Sequence, residues 1–312
     1  MSRRPQQSAV LAPVAAPEFS IDGRTIPVRP LSPGLYVVAT PIGNLGDITV
    51  RALATLAAAD LIACEDTRVT RILTNRYGIS AKLIAYNDHN GPRQRPKFLA
   101  ALAEGKTVAL VSDAGTPLVS DPGYRLVSEA LAAGRVVVPI PGASSVLASL
   151  VASGLPSDAF LFAGFLPPKQ VARRKRLAAL AATPATLIFF ESPRRLAASL
   201  ADMAEELGAD RQAVVARELT KAFETVRRDS LAGLTAEYEN QTPPKGEIVV
   251  LVGPPNDTPP APEDIDALLT ELLTSHPIRE AAAEAAARTG LGRRVLYQRA
   301  LGLKKDADDG AA

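Results

Sequence analysis

Short apolar runs alternate with amphipathic stretches over the first half of the chain. Five of these runs have the length of buried strands, and they lie at 35–39, 61–63, 82–86, 107–112 and 135–140. The stretches between them carry apolar residues at helical spacing and end in glycine or polar residues. Apolar strands alternating with helices predict parallel βαβ units in a sheet that is covered on both faces.

The pattern restarts near Phe160 and predicts a second α/β domain. Strands are expected at 160–164, 186–191 and 246–253, and the segment 213–226 reads as two strand pieces around a polar turn. The proline-rich segment 254–262 has the composition of a linker. After it, apolar residues at helical spacing predict three short helices, with a helix-turn-helix-like bend at 289–291.

The fold class that follows is α/β, with two α/β domains and a small helical domain at the end. We place the first α/β domain at 33–145, the second at 146–254, and the linker and helical domain at 255–312. Residues 1–32 are rich in proline, alanine and arginine without periodicity, so we expect a disordered tail there and not a signal peptide.

Composition excludes several classes of protein. The 312 residues include 35 lysines and arginines and 33 acidic residues, which gives a net charge of only +2. A polyanionic partner must therefore bind to a local basic patch. One cysteine and two histidines argue against a disulfide framework and against a metal site. No apolar run reaches the roughly 18 residues of a membrane span. We therefore expect a cytoplasmic protein without metal and without membrane contact.

Polar loops follow the predicted strands of the first domain. Their sequences are TPIGN, CEDTR, YNDHNGP, SDAGTP and PGASS. Ligands of open α/β sheets bind beyond the carboxyl ends of the strands, so these loops predict a binding site. The chain lacks both G-x-G-x-x-G after its first strand and the P-loop motif, which argues against dinucleotide enzymes and P-loop NTPases.

Several of these loop residues could carry chemistry. Asp113 and Asp121 lie in one long loop, and we expect Asp121 to cap the following helix and Asp113 to meet a ligand. Glu65 and Asp66 follow the second strand, where Asp66 is also suited to capping a helix. His89 lies at the predicted edge of the cleft and could titrate near neutral pH.

Basic clusters could contact phosphates, or could be solvated helix faces and ion-pair partners. In the second domain they are Arg173, Arg174, Lys175, Arg176, Arg194 and Arg195. A pairing of Arg194 with Glu191 is the alternative there. At the end of the chain, no acid interrupts the series Arg288, Arg293, Arg294, Arg299, Lys304 and Lys305.

The loop motifs, taken in order, resemble a known family. LYVVATPIGNLGDIT, CEDTR, DHN, SDAGTPLVSDPG, PGASS, GFLPPK, FFESPRR and ARELTKAFE are similar to the bacterial 16S rRNA (cytidine-2′-O)-methyltransferases of the tetrapyrrole-methylase superfamily. The resemblance implies methylation of a decoding-region cytidine ribose with S-adenosylmethionine, on 16S rRNA of the small ribosomal subunit. It leaves open whether the chain forms a homodimer.

The resemblance also implies which residues hold the cofactor, in a cleft between the two α/β domains. They are Thr40, Pro41, Ile42, Gly43, Asn44, Asp113, Ala114, Gly115, Thr116, Pro117, Pro141, Gly142, Ala143, Ser144, Ser145, Phe190 and Glu191. It shifts the interpretation of the terminal cations, including Arg293, Arg294 and Arg299, towards RNA contact.

Attack by a ribose hydroxyl on a sulfonium methyl needs in-line geometry and one proton acceptor. The sequence does not choose among its candidates, which are His89, Glu65, Asp66, Glu191 and Lys221. Two other functions stay open at this point. A precorrin-type methylase would not need the helical domain, and a non-enzymatic nucleic-acid-binding protein would not bind the cofactor.

Overall fold

Five parallel strands form the first sheet of the structure, a computed structural model that describes residues 17–255, 262–289 and 291–309. The strands are β3 Gly34–Val38, β4 Leu61–Cys64, β5 Leu83–Ala85, β6 Thr107–Val111 and β7 Val137–Ile140. Their order in the sheet is β5-β4-β6-β3-β7, and every neighbouring pair is parallel. The predicted parallel βαβ arrangement is confirmed.

Helices cover both faces of this sheet. They are α1 Val50–Ala58, α2 Thr67–Arg76, α3 Gly91–Ala103 and α4 Tyr124–Ala132. On one face, α1 and α2 pack through residues such as Leu53 and Leu73. On the other, α3 and α4 pack through Phe98 and Leu126. Both faces of the central strands β3, β4 and β6 are therefore largely buried, which explains their uninterrupted apolar runs, whereas the edge strands β5 and β7 are half-buried.

The second sheet is mixed. Its strands are β8 Phe160–Phe165, β9 Thr186–Glu191, β10 Gln212–Arg217, β11 Thr225–Ser230 and β12 Ile248–Val252. The order is β11-β10-β12-β9-β8, and only β8 and β9 run parallel. The helices α6 Gln170–Ala178, α7 Leu196–Leu207 and α8 Leu231–Glu239 accompany this sheet. The first of the two predicted strand pieces is β10, whereas the second is displaced, because β11 begins only at Thr225, near the end of the predicted segment, and continues to Ser230.

Helix α5, Ser145–Ser153, joins the two halves. Val146 and Leu150 of α5 are buried against Ile188 and Val249 of the second sheet. Ile42, from the loop after β3, belongs to the same apolar cluster. The loops of the first sheet are thus held directly against the second sheet, which is how a cleft forms between them.

A hairpin precedes the first sheet, where the sequence predicts an unstructured leader. Strands β1 Glu18–Ile21 and β2 Arg24–Pro27 pair antiparallel around Asp22 and Gly23, both at positive φ. Phe19 is almost fully buried in the α1/α2 core, which explains why the hairpin docks. An Asp-Gly pair between short alternating strands is a recognised hairpin signal, so this part of the expected tail is corrected. Residues 1–16 lie outside the described residues.

The chain divides into two compact units, Met1–Pro255 and Asn256–Ala312. Within the second unit, the helices are α9 Pro262–Leu273, α10 Ile278–Thr289 and α11 Arg293–Asp309. Leu269, Ala282 and Leu296 form part of its own small apolar core. The predicted three-helix domain is confirmed. No helix in the described part of the chain is long and apolar enough to cross a membrane.

Candidate active site

A cleft of about 430 Å³ opens between the two sheets of the first unit. The first half lines it with Ile42, Glu65, the loop 113–116, the loop 119–121 and Ser144–Ser145. The second half contributes Phe165, the segment 190–193 and the segment 246–249. We call this cavity the cofactor cleft. Its volume lies in the range of small-molecule sites, roughly 300–1,000 Å³.

Backbone hydrogen bonds fix the loop after β3 against the loop after β6. Thr40 N donates to Gly115 O at 2.9 Å, and Gly115 N donates back to Thr40 O at 3.0 Å. Gly115 has a φ of +79°, and a Cβ there would be 3.3 Å from Ile42, so a larger residue would strain this contact. Thr116 Oγ1 donates to Ala143 O at 3.2 Å and ties in a third loop. One wall of the cleft is therefore preorganised.

Five acidic residues line this cleft. Glu191 and Glu247 are paired with Arg195 and Lys221, and the other three carboxylates, those of Glu65, Asp113 and Asp121, have a raised pKa. Burial raises the pKa of Glu65, and the charges of Asp113 and Asp121 raise it further. Burial likewise raises the pKa of Asp113 and that of Asp121. Asp113 Oδ1 accepts a hydrogen bond from Asp66 N at 3.0 Å, which fixes its position. The cleft therefore carries an excess of negative charge that a cationic ligand would relieve.

These residues fit S-adenosylmethionine. Its sulfonium and ammonium groups are cations that complement the three carboxylates. The apolar side chains Ile42, Phe165, Phe190 and Val249 offer a surface for an adenine ring. No cluster of metal-ligating side chains exists in the part of the chain that the structure describes.

The predicted cofactor residues separate into three groups. Those that line the cofactor cleft are Ile42, Asp113, Ala114, Gly115, Thr116, Ser144, Ser145, Phe190 and Glu191. Thr40, Pro41 and Gly43 line a neighbouring smaller cavity, and Asn44 lines an outer groove. Pro117, Pro141, Gly142 and Ala143 line neither the cleft nor these two cavities. Lining residues that the sequence did not single out include Val119, Ser120, Phe165, Ser192 and Gly246.

Asp121 corrects one expectation. Helix α4 begins at Tyr124, its N-cap is Gly123, and no side chain caps it. Leu118 and Ser120 adopt positive φ angles of 75° and 62°, which turn the loop back towards the cleft. The carboxylate of Asp121 therefore lines the cofactor cleft and does not form the helix cap that the sequence predicts.

Among the predicted proton acceptors, Glu65 lines the cofactor cleft. Asp66 is the N-cap of α2 and pairs with Arg68 at 2.6 Å, so both contacts of its carboxylate have a structural role. His89 is exposed in the turn after β5 and does not line the cofactor cleft. The structure thus favours Glu65 over these two.

Glu191 and Lys221 are engaged elsewhere. Glu191 is buried, and its two oxygens accept from Ser192 N at 2.7 Å and from Ser199 Oγ at 2.5 Å. Burial alone would lower the pKa of Lys221, but hydrogen bonds to Glu218 and Glu247, at 2.8 and 3.0 Å, raise it. Lys221 is therefore held as a cation, which disfavours it as a proton acceptor.

The basic cluster of α6 has different surroundings at each residue. Arg173 is buried and pairs with Asp202 at 2.6 Å, so it is not available to RNA and that expectation is corrected. Arg174 pairs with two glutamates of α7. Lys175 and Arg176 are exposed.

The second cluster divides in the same way. Arg195, rather than Arg194, pairs with Glu191, at 3.3 Å. Arg195 also donates to Leu166 O at 2.7 Å. Arg194 is exposed. The ion pair with Glu191 that the sequence offers for Arg194 is therefore made by its neighbour.

The helical unit keeps some of its cations exposed. Arg299 pairs with Asp266 at 2.5 Å, and Arg288 pairs with Glu284 at 2.9 Å. Arg293 donates to a backbone carbonyl of α10 and remains exposed, as do Arg294 and Lys304. The side chain of Lys305 lies outside the described residues.

Comparison with known proteins agrees with this fold. Residues 34–235 match the family model of tetrapyrrole (corrin/porphyrin) methylases, and residues 259–304 match an RsmI C-terminal HTH domain. The methyltransferase CobJ has the same fold, with a TM-score of 0.54 at 23% identity over 71% of this chain and 94% of its own. The chain belongs to the tetrapyrrole methylases, which are methyltransferases.

A particular group within that family is indicated by sequence. Over 91% of this chain and 97% of the relative, the chain is 60% identical to "Ribosomal RNA small subunit methyltransferase I" of Mesorhizobium japonicum, and it belongs to the family of that protein. S-adenosylmethionine is the methyl donor of these enzymes. A uroporphyrin-III C-methyl transferase from Thermus thermophilus, with a TM-score of 0.50 at 19% identity over 70% of this chain and 96% of its own, was solved with S-adenyl homocysteine.

Proposed function

We propose that this enzyme transfers the methyl group of S-adenosylmethionine to the ribose 2′-hydroxyl of a decoding-region cytidine in 16S rRNA of the small ribosomal subunit. Such a reaction takes place in the cytoplasm, in keeping with the expected location. The observation that carries the proposal is the extent of the sequence likeness. It reaches 97% of a relative named for the small-subunit RNA and includes the helical unit.

A small tetrapyrrole substrate is less well supported. The precorrin-type alternative requires only the two α/β halves. The structural match with CobJ covers 94% of CobJ but only 71% of this chain. The terminal helices are thus additional to what such an enzyme contains. Exposed cations on that unit, such as Arg294 and Lys304, suit a polyanionic substrate. A non-enzymatic role would leave the acidic cofactor cleft unexplained.

Glu65 is the residue that we propose as proton acceptor. S-adenosylmethionine supplies an electrophilic methyl group on a sulfonium, so the leaving group needs no protonation and no metal. Glu65 lines the cleft, and its raised pKa brings its affinity for a proton closer to the working pH. Asp113 and Asp121 beside it would compensate the positive charge of the cofactor. The preorganised loops would orient the methyl group, and this positioning would supply much of the rate.

The test uses small subunits from cells that lack this protein. Purified protein and methyl-labelled S-adenosylmethionine are added to these subunits, and in parallel to free 16S rRNA and to a precorrin. The RNA is then digested and mapped by mass spectrometry. We expect label on the ribose of one cytidine, and in a separate titration the protein alone should bind S-adenosylmethionine with the same affinity with and without EDTA. Label on a base, label on the precorrin alone, or loss of cofactor binding in EDTA would each overturn the proposal.

A further inference from the structure

We propose that helix α2 and a pocket beneath it bind the target nucleotide, with its base in the pocket and its flanking phosphates on two arginines of the helix. This inference rests on the proposed function, because it assumes an RNA substrate. It concerns helix α2, which the sequence did not single out, and a pocket whose residues Thr40, Pro41 and Gly43 the resemblance assigned to the cofactor. The position of the pocket, its size, its apolar rim and the charges around it all support this role.

The pocket adjoins the cofactor cleft. It has a volume of about 220 Å³ and shares Ile42, Asp113, Ala114 and Glu247 with the cleft. We call it the side pocket. A ribose carries its base on the carbon next to the one that bears the 2′-hydroxyl. When that hydroxyl lies against the methyl group in the cleft, the base must therefore occupy a space that borders on the cleft, and the side pocket is such a space.

The size of the side pocket suits a pyrimidine. An apolar protein cavity of roughly 150 Å³ accommodates benzene, so about 220 Å³ leaves room for a six-membered ring with its exocyclic groups. Enzymes that act on a base turn it out of the stack and hold it against apolar side chains, and the same movement would bring a base into this pocket. A bicyclic purine would fill such a space less readily.

Exposed aliphatic residues surround the mouth of the side pocket. Val69 and Ile72 lie one turn apart on α2 and are 38% and 64% exposed. Leu45, from the loop after β3, is 37% exposed and lines the same pocket. Such a group of exposed apolar side chains next to an active site marks a binding surface. In a chain without tryptophan, it can support a base through aliphatic contact.

Arginines flank this apolar rim. Arg71 and Arg76 of α2 are exposed, and no acidic side chain lies within salt-bridge distance of either in the described structure. Helix α2 itself contains no acidic residue. Arg68, by contrast, is paired with Asp66. Arg71 and Arg76 are therefore available to the phosphates on either side of a nucleotide whose base has entered the side pocket.

Lys221 marks the path by which a strand would reach this pocket. It lines both the side pocket and an outer groove of about 990 Å³, which Arg76 and the hairpin residue Asp22 also line. Its aliphatic stem lies over Gly43, where a Cβ would approach within 2.4 Å. Its ammonium group donates to Glu218 and Glu247 and has a third N–H, which suits a ribose hydroxyl or a base carbonyl.

The first experiment compares Ile72→Asp with Val50→Asp. Val50 is 61% exposed on α1, which packs on the same face of the sheet, and it lines neither the side pocket nor the cofactor cleft. Methyl transfer is measured on a target RNA with cytidine, and on one with an abasic ribose at that position. We expect Ile72→Asp to slow transfer to cytidine about tenfold and to leave the slow abasic reaction unchanged. Val50→Asp should alter neither.

The second experiment addresses the phosphates. Arg71→Gln with Arg76→Gln should weaken RNA binding and reduce its log–log salt slope by roughly 0.7 for each phosphate that the variant no longer binds. The matched control is Arg125→Gln, on α4 at the opposite face of the sheet. Calorimetry with S-adenosylmethionine should give wild-type affinity for every variant.

Three outcomes would overturn the inference. They are equal rates for the two aspartate variants on cytidine, an unchanged salt slope in the arginine variant, and loss of cofactor affinity in Ile72→Asp. The last would assign the side pocket to the cofactor. Failure of the proposed function is distinguished by the wild-type arm, in which the unmodified enzyme would not methylate the cytidine RNA at all.

Discussion

Replacing Glu65 by glutamine tests the proposed proton acceptor most directly, because the amide keeps the shape of the side chain and removes its basicity. A general base contributes roughly 10²–10⁴-fold to a rate. Asp113 lies close enough to raise the pKa of Glu65 by its charge, so it can accept the proton in part. We therefore expect the lower half of that range, a loss of about 10²–10³-fold in methyl transfer at saturating cofactor and RNA.

The dependence of the rate on pH gives a second readout of the same residue. The acceptor must be deprotonated, so the rate rises with pH through its pKa. Burial and two neighbouring carboxylates raise the pKa of Glu65 in the enzyme without cofactor, so the rise in kcat/KM, which reports the free enzyme, should lie above the usual range for a glutamate. Glu65→Gln should lose the rise, whereas Glu65→Asp should keep it at a lower plateau. Cofactor affinity should change by less than about tenfold, because two of the three carboxylates remain.

Single-turnover transfer, followed by quenching at several pH values, separates this step from binding and release. His89→Ala serves as the matched control, since His89 is exposed and does not line the cleft. If Glu65→Gln transferred methyl groups within about fivefold of wild type and kept the same pH profile, the proton acceptor would lie elsewhere. A large loss in His89→Ala would point to the turn after β5 instead.

Three further predictions concern charges. Arg173→Gln should lower the free energy of unfolding in urea by about 3–5 kcal/mol, because it strands a buried carboxylate; Arg176→Gln should leave stability unchanged, and equal losses would contradict this. Asp121→Asn should raise the melting temperature at neutral pH, because burial raises the pKa of Asp121 in the folded state and its ionised form opposes folding. That gain should vanish at a pH below the pKa of the unfolded carboxyl, where the side chain is protonated in both states. An equal gain in melting temperature at that pH and at neutral pH would refute the prediction. Arg294→Gln with Lys304→Gln should weaken RNA binding and flatten its salt dependence while cofactor affinity stays constant; an unchanged slope would leave these cations as a solvated helix face.

The first sheet could be predicted closely because its central strands are buried on both faces. Every residue of β6, for example, is buried, so its sequence is an unbroken apolar run. The second sheet could be predicted only as a set of strands. Most of its strands show similar runs, although β11 is polar and largely exposed. Nothing local to β12 reveals that it pairs antiparallel with both β10 and β9. Pairing order depends on distant partners, which a pattern along one chain does not contain.

The basic cluster of α6 shows why the candidate interface was harder to predict than the cleft. Neighbouring residues on a helix point about 100° apart, so adjacent arginines meet different surroundings. Arg173 faces the core and Asp202, whereas Arg176 faces solvent. Asp202 lies 29 residues away along the chain, so the sequence alone did not identify it as the partner. The cleft loops were predicted better because strand topology alone brings them to one edge.

The charges of this chain serve two tasks that a net charge of +2 conceals. The carboxylates that suit a cationic cofactor are partly buried in the cleft, and the same carboxylates would repel an RNA backbone. Arginines without an acidic partner, such as Arg71, lie on the exposed face of α2 in the described structure. A nucleotide avoids the carboxylates and still meets the arginines when its phosphates stay at the surface of α2 while its uncharged ribose and base enter the cleft and the side pocket. That separation of charge, independently of pocket size, favours a target nucleotide that leaves its stack before the methyl group is transferred.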